Sequence, residues 1–137
     1  MSDAAIGGVV FDVAGVRSFC RRDDLYAESV VWACVDTGDV IVIPSVVLAE
    51  ARADIAAGAL EVLAVLLELP NTVVPAFDTT AADRCAELLA RLPADQRNVV
   101  SAAQAVAEAV DRGWPVVTDR GQLLQALDHR VIVDPLP

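Results

Sequence analysis

Five short and almost continuously apolar runs alternate with longer helix-like segments along this chain. Such runs are typical of strands whose two faces are both covered, and their alternation with helices predicts a parallel sheet. We therefore predict an α/β fold with three layers, α/β/α, around a short parallel sheet of about five strands. The predicted strands are residues 9–12, 40–43, 72–74, 115–118 and 131–133.

Helix-like patterns fill the gaps between these strands, and glycine or proline marks several of their ends. The predicted helices are residues 24–37, 44–57, 59–69, 80–92, 95–112 and 122–127. We expect a loop directly after the first strand. A length of 137 residues suits one domain with its own core, and no linker or repeat divides the chain, so we predict a single domain over residues 1–137.

The hydrophobic content of 55% predicts a dense core without a membrane span. No window approaches the roughly 20 uncharged apolar residues that a transmembrane helix needs. The N-terminal residues lack the basic region of a signal peptide, so we expect a cytoplasmic protein.

Three cysteines, Cys20, Cys34 and Cys85, stand far apart and show no metal-ligand spacing, which predicts buried structural thiols. The single histidine, His129, has no partner motif, and we expect it at the surface.

The formal net charge of −10 argues against broad, non-specific nucleic-acid binding, which depends on the neutralisation of phosphates. It does not exclude a local basic cluster. Arg17, Arg21 and Arg22 follow the first predicted strand and are candidates for RNA binding. The alternative is that these arginines lie on a solvated helix face.

Three carboxylates occupy places that an α/β fold would bring to one edge of the sheet. Asp12 and Asp119 each end an apolar strand-like run, and Glu50 lies in a predicted helix that directly follows another such run. Loops that leave the carboxyl ends of parallel strands converge on one crevice. Three acids there would suit a hard divalent cation such as Mg²⁺ or Mn²⁺. Taken singly, an acid at a strand end is equally well explained as an ordinary polar loop residue.

The order of these segments resembles the PIN-domain family, which includes the ribonuclease toxins of bacterial toxin–antitoxin pairs. The resemblance rests on residues 9–12 (VVFD), 43–50 (IPSVVLAE) and 116–121 (VVTDRG) and extends over nearly the whole chain. It implies the same three-layer fold.

The resemblance also implies an activity, the cleavage of RNA by Mg²⁺ or Mn²⁺ ions held by a cluster of acids. In such sites one ion activates the attacking water and another stabilises the leaving oxygen. On this resemblance Asp12 and Glu50 would be catalytic metal ligands, and Asp119 would be a ligand or would orient a bound water. Thr118 would support Asp119 by a hydrogen bond.

The chain departs from the family pattern in ways that would erode the acidic site. The family places an acid near the start of the long helix before the last strand–acid motif, and Ser101 occupies that position here. A hydroxyl carries no charge, so the site would hold a dication more weakly. Asp95, the only nearby acid, is expected to be a helix N-cap, with rescue of the metal site as the alternative. Ala14 stands where the family favours Ser, Thr or Asn, and Thr118 directly precedes Asp119 where the family often inserts a residue.

These observations leave two functional hypotheses. The first is an active or weakly active metal-dependent endoribonuclease of the toxin type. The second is a catalytically inactive PIN-like module that binds RNA or a protein partner with the same surface. Receiver domains are excluded because the chain contains no lysine, and no glycine-rich phosphate loop supports a nucleotide-binding fold.

The resemblance implies two protein partners, an antitoxin-like protein and a second copy of the chain. In the family an antitoxin helix lies in an apolar groove. Residues 25–35 are apolar enough to provide such a groove, and Tyr26 and Trp32 are typical interface anchors. The alternative is core packing, which we expect for Val30 and Val31 more than for Trp32.

Overall fold

Five strands form a single parallel sheet in the computed structural model, which describes residues 6–22 and 24–137. The strands are β1 (Gly8–Phe11), β2 (Val40–Val42), β3 (Thr72–Val73), β4 (Val116–Thr118) and β5 (Val133–Pro135). Their order across the sheet is β3-β2-β1-β4-β5, and every neighbouring pair is parallel. The prediction of a short parallel sheet is confirmed, and only β5 is displaced, beginning two residues later than predicted.

Seven α-helices connect these strands within the described residues. They are α1 (Val13–Arg21), α2 (Tyr26–Thr37), α3 (Ser45–Ala53), α4 (Leu60–Glu68), α5 (Thr79–Leu89), α6 (Val100–Arg112) and α7 (Gly121–Leu127). Short 3₁₀ turns at Ala57–Ala59 and Ala94–Gln96 precede α4 and α6. Helices flank the sheet on both faces, so the predicted three-layer α/β/α architecture is confirmed.

The order in which the chain adds strands to the sheet changes direction between β1 and β4. From β1 it moves outward to β2 and β3, then returns to the other side of β1 for β4 and β5. Because parallel crossovers are right-handed, this reversal places the connecting helices on opposite faces. It also opens a crevice at the carboxyl ends of β1 and β4, the usual place for a ligand site in such folds.

Helix α1 replaces the loop that was expected after the first strand, so that prediction is wrong. Asp12 is the N-cap of α1, and its carboxylate accepts a hydrogen bond from the Val13 N–H at 2.8 Å. The acid that ends the strand therefore also begins the helix, since a side-chain acceptor satisfies one of the donors that a helix start leaves unpaired. The helix ends at Arg22, whose φ of 58° is left-handed.

Helix α6 lies deepest in the helix layers. Its residues 101–107 are all buried, and most of them are alanines, so neighbouring elements can approach it closely on every side. It packs against α3, α5 and α7 and against the central strands β1 and β4. This position brings the first turn of α6, with Ser101, to the carboxyl edge of the sheet.

The thiol and surface predictions are confirmed. All three cysteines are free and buried, and burial raises the pKa of the Cys20 thiol to about 11. His129 is exposed. No helix in the part of the chain described here is long and apolar enough to cross a membrane.

Candidate functional site

Asp12 directly follows β1, at the carboxyl edge of the sheet where β1 and β4 lie side by side. The side chain is fully buried, and the backbone N–H donates to the Val117 carbonyl at 3.0 Å, which extends the pairing of the two strands. A buried carboxylate is stable only when charges and hydrogen-bond donors compensate the loss of water. The surroundings of Asp12 therefore decide what this site does.

The two carboxylate oxygens of Asp12 accept four hydrogen bonds. Oδ1 accepts from the Val13 N–H at 2.8 Å and from Arg120 Nη2 at 2.7 Å. Oδ2 accepts from Thr118 Oγ1 at 2.7 Å and from Arg120 Nε at 2.8 Å. Since an ionised carboxylate offers about four acceptor positions, its capacity is filled by the protein itself.

Arg120 is the main partner of Asp12, and sequence reasoning did not single it out. Its guanidinium forms a two-pronged ion pair with the carboxylate, and only 25% of its side chain is exposed. The hydrogen bond to Asp12 raises the pKa of Arg120, and the nearby charges of Glu50 and Asp119 act in the same direction. All three predicted acids thus surround one arginine.

Thr118 links Asp12 to the backbone of Arg120. Its buried hydroxyl donates to Asp12 and accepts from the Arg120 N–H at 3.0 Å. The hydroxyl therefore supports Asp12 and the start of α7, whereas the family resemblance implies support for Asp119.

Ser101 contributes an acceptor to the guanidinium. Its Oγ accepts from Arg120 Nη2 at 2.9 Å, and the residue is buried in the first turn of α6. At the position where the family has an acid, this chain therefore has a hydroxyl that accepts a hydrogen bond from Arg120.

Glu50 and Asp119 are exposed and line different depressions. Glu50, on α3, shares a cleft with Ser101 and Arg120. Asp119 lines a separate depression with Arg17. Both acids therefore lie near Arg120, but the three predicted acids do not line one common pocket.

Asp95 lies outside this site, and its prediction as the N-cap of the long helix is wrong. It is exposed within the 3₁₀ turn Ala94–Gln96, whereas α6 begins at Val100 and has Val99 at the capping position. A break at residues 97–99 separates the turn from the helix. The single helix predicted from residue 95 to residue 112 is therefore two elements, the 3₁₀ turn and α6.

The three candidate RNA-binding arginines do not share one face. Arg17 pairs with Asp54 at 2.8 Å, and Arg22 lies 3.6 Å from Glu28. Arg17 and Arg21 line the depression that contains Asp119, together with Ala14. Two arginines beside an acid form a weaker anion-binding site than the predicted cluster of three arginines would.

The residues present do not fit a divalent cation at Asp12. Within residues 6–22 and 24–137, no group of three or more His, Cys, Asp or Glu side chains is arranged to hold a metal ion. Every buried side-chain nitrogen or oxygen in those ranges has a hydrogen-bond partner, so no buried polar atom there requires a ligand to satisfy it. Mg²⁺ demands oxygen ligands in near-octahedral geometry, and Asp12 has no acceptor position to spare.

Solved structures share this arrangement of strands and helices. A chain of VapBC2 from Rickettsia felis, crystallised with a DNA fragment from its promoter, superposes with a TM-score of 0.67 at 14% identity, over 93% of this chain and 97% of that one. A chain of DNA-bound VapBC from Salmonella typhimurium superposes with a TM-score of 0.65 at 18% identity, over 95% and 98%. The fold is PIN-like. No protein-family model and no curated protein matches the PIN-like chain by sequence.

Proposed function

We propose that this chain is the PIN-like, toxin-type member of a toxin–antitoxin pair, in a form that acts by binding and is not set for metal-dependent RNA cleavage. The fold supports the first part, because both similar structures are VapBC assemblies and are matched over almost their whole chains. The four hydrogen bonds to Asp12 carry the second part.

Hydrolysis by metal ions needs carboxylates that can give their oxygens to the ions. In this chain the only buried member of the predicted trio gives both oxygens to Arg120, Thr118 and Val13. The acid that would reinforce the charge is replaced by Ser101. With Glu50 and Asp119 exposed, no second buried carboxylate of that trio compensates.

An antitoxin-like protein is the partner that the surface favours. Leu25 is the N-cap of α2 and has helical backbone angles, and Trp32 lies seven residues, or about two turns, later, so both lie on one side of the helix. Their exposed fractions are 69% and 41%. Val35 continues the stripe with 39% exposed. Val31, by contrast, is fully buried and Val30 packs against the core, as the sequence predicted. We define Leu25, Trp32 and Val35 as the α2 stripe.

The charge of the chain supports a basic partner over RNA. A net charge of −10 repels phosphates and attracts a basic helix or peptide. An amphipathic helix with apolar residues at i, i+3 or i+4, and i+7 would match the spacing of the α2 stripe. RNA binding and self-association are the competing outcomes for this surface.

The activity test is RNA cleavage by the purified protein with Mg²⁺, with Mn²⁺ and with EDTA, run beside Asp12→Asn. We expect no metal-dependent cleavage in either protein. Cleavage that requires metal and disappears in Asp12→Asn would show a working nuclease and would refute the binding role. Circular dichroism of both proteins confirms that the comparison is between folded chains.

The partner test is co-expression with the protein encoded beside this one, followed by size-exclusion chromatography with light scattering. We expect a complex that Trp32→Glu disrupts and Phe77→Glu does not, because Phe77 is 39% exposed but lies in the segment between β3 and α5, outside the α2 stripe. A complex unaffected by Trp32→Glu would place the interface elsewhere. A homodimer alone would assign the stripe to self-association.

A further inference from the structure

Both the backbone and the side chain of Arg120 are held by hydrogen bonds. Its backbone N–H is held by Thr118 Oγ1, and its carbonyl accepts from the Leu124 N–H at 3.2 Å as α7 begins. Its guanidinium is held by both oxygens of Asp12 and by Ser101 Oγ. A surface ion pair usually has none of these constraints, and its contribution is correspondingly small.

The guanidinium and Asp12 match each other in geometry. A planar fork of donors meets a planar pair of acceptors with distances of 2.7 and 2.8 Å, the short lengths typical of charge-assisted bonds. Arginine keeps its positive charge at any physiological pH, so this counter-ion is permanent. A lysine could not form the same two bonds from two different nitrogens.

Ser101 leaves the charges of the buried part of the site balanced. The Asp12 carboxylate and the Arg120 guanidinium sum to zero, and the neutral Ser101 hydroxyl accepts a further hydrogen bond from the guanidinium without adding charge. An acid at the same place would leave a surplus negative charge that a dication, rather than an arginine, would neutralise. The hydroxyl and the arginine are thus complementary features of one site.

From these contacts we propose that Arg120 is the resident cation of the acidic site. It occupies the coordination positions of Asp12, so the folded chain neither needs nor binds a divalent ion there. Removing the guanidinium would free two acceptor positions of Asp12, and Glu50 lines the same cleft as Arg120. Because a hard divalent ion can be held by one or two carboxylates together with waters, these two acids would suffice for a weak site. Metal affinity is therefore latent in this site and is suppressed by one side chain.

The test compares wild type, Arg120→Met and the control Arg84→Met by calorimetric titration with Mn²⁺ and by thermal unfolding with Mn²⁺ or EDTA. Arg84 pairs with Asp111 at 3.5 Å, outside the acidic site. We expect no saturable Mn²⁺ binding and no shift of Tm in wild type or Arg84→Met. Arg120→Met should gain one saturable site and a Tm that rises with Mn²⁺ concentration, since a ligand that binds only the native state stabilises it.

Two results would overturn the proposal. One is saturable Mn²⁺ binding by wild type that Asp12→Asn abolishes. The other is a folded Arg120→Met protein without a Mn²⁺ response. If Arg120→Met does not fold, Arg120→Gln replaces it, because its single amide nitrogen can donate to one oxygen of Asp12 without charge and leaves the position of the second arginine bond free. The double variant Asp12→Asn/Arg120→Met must lose the gained response.

This test involves neither RNA nor a partner protein. Its failure is therefore distinguishable from failure of the proposed pairing, which is measured by complex formation alone.

Discussion

Replacing Asp12 by alanine should destabilise the protein strongly. The substitution removes an acceptor of four hydrogen bonds and leaves the guanidinium of Arg120, three-quarters buried, without its counter-charge. It also removes the N-cap of α1. A free acid in a metal-binding cluster would behave oppositely, because functional clusters of like charges usually reduce stability.

The expected loss is about 3–5 kcal/mol, the range found when one partner of a buried ion pair is removed. The N-cap contributes about 1 kcal/mol to that loss. For a domain of this size, such a change lowers Tm by roughly 10–17 °C. Arg120 is too little exposed for solvent to compensate the missing carboxylate fully.

Urea unfolding followed by circular dichroism measures the effect, with Asp119→Ala as the matched control. Asp119 also ends a strand but is exposed, so its removal should change the free energy of unfolding by no more than about 0.5 kcal/mol. The double variant Asp12→Ala/Arg120→Met should be more stable than Asp12→Ala alone, because it leaves no uncompensated charge.

A loss below about 1 kcal/mol for Asp12→Ala would refute the reasoning, since it lies outside the range for a broken buried pair. So would a double variant that is less stable than the single one. Either result would mean that the contacts between carboxylate and guanidinium contribute little to the native state.

Three further predictions follow from other contacts. Thr118→Val should cost about 1–3 kcal/mol in urea unfolding because it leaves buried partners in the acidic site unsatisfied, and Thr118→Ser should recover most of the loss. Gly8→Ala should lower Tm, since its methyl would lie 2.5 Å from an indole carbon and 2.7 Å from a backbone carbonyl, whereas Gly58→Ala, with open space around it, should not. The hydrogen bonds from Arg130 lower the pKa of Asp128 in the folded protein. The ionised carboxylate therefore stabilises the fold at pH values above about 4, the pKa of an aspartate in an unfolded chain, and this contribution is lost as the pH falls below that value. In Asp128→Asn, the free energy of unfolding should depend less on pH in this acidic range.

The fold was predictable from the sequence because its signals are local. The three central strands β1, β2 and β4 are almost continuously apolar. Asp12 and Asp119 directly follow β1 and β4, so order and alternation indicated the parallel sheet. The displaced strand β5 contains Asp134 and Pro135 and has no such signal. Helix α1 was missed because Asp12 ends one element and caps the next without an intervening turn residue. Asp95 was misassigned because helix-forming residues continue across a break that only the backbone reveals.

The state of the acidic site was not predictable in the same way. In the sequence, Arg120 is one of ten arginines, and the acid that precedes it is one of twenty, so nothing in their types distinguishes this pair. Its importance depends on the direction of one side chain, on Ser101 nineteen residues earlier and on Asp12, 108 residues earlier. The signal that could have found it was the paired change, an arginine after the last strand acid together with a hydroxyl at the position of the missing acid.

The distance along the chain between β1 and β4 has a consequence for biosynthesis. Thr118 and Arg120 are translated more than a hundred residues after Asp12. Contacts of such high sequence separation form late, after the costs of loop closure have been met by other pairings. The nascent chain therefore carries an uncompensated acid at the end of β1 until β4 and Arg120 have been made, so the pairing of β4 with β1 and the neutralisation of that acid become a single event.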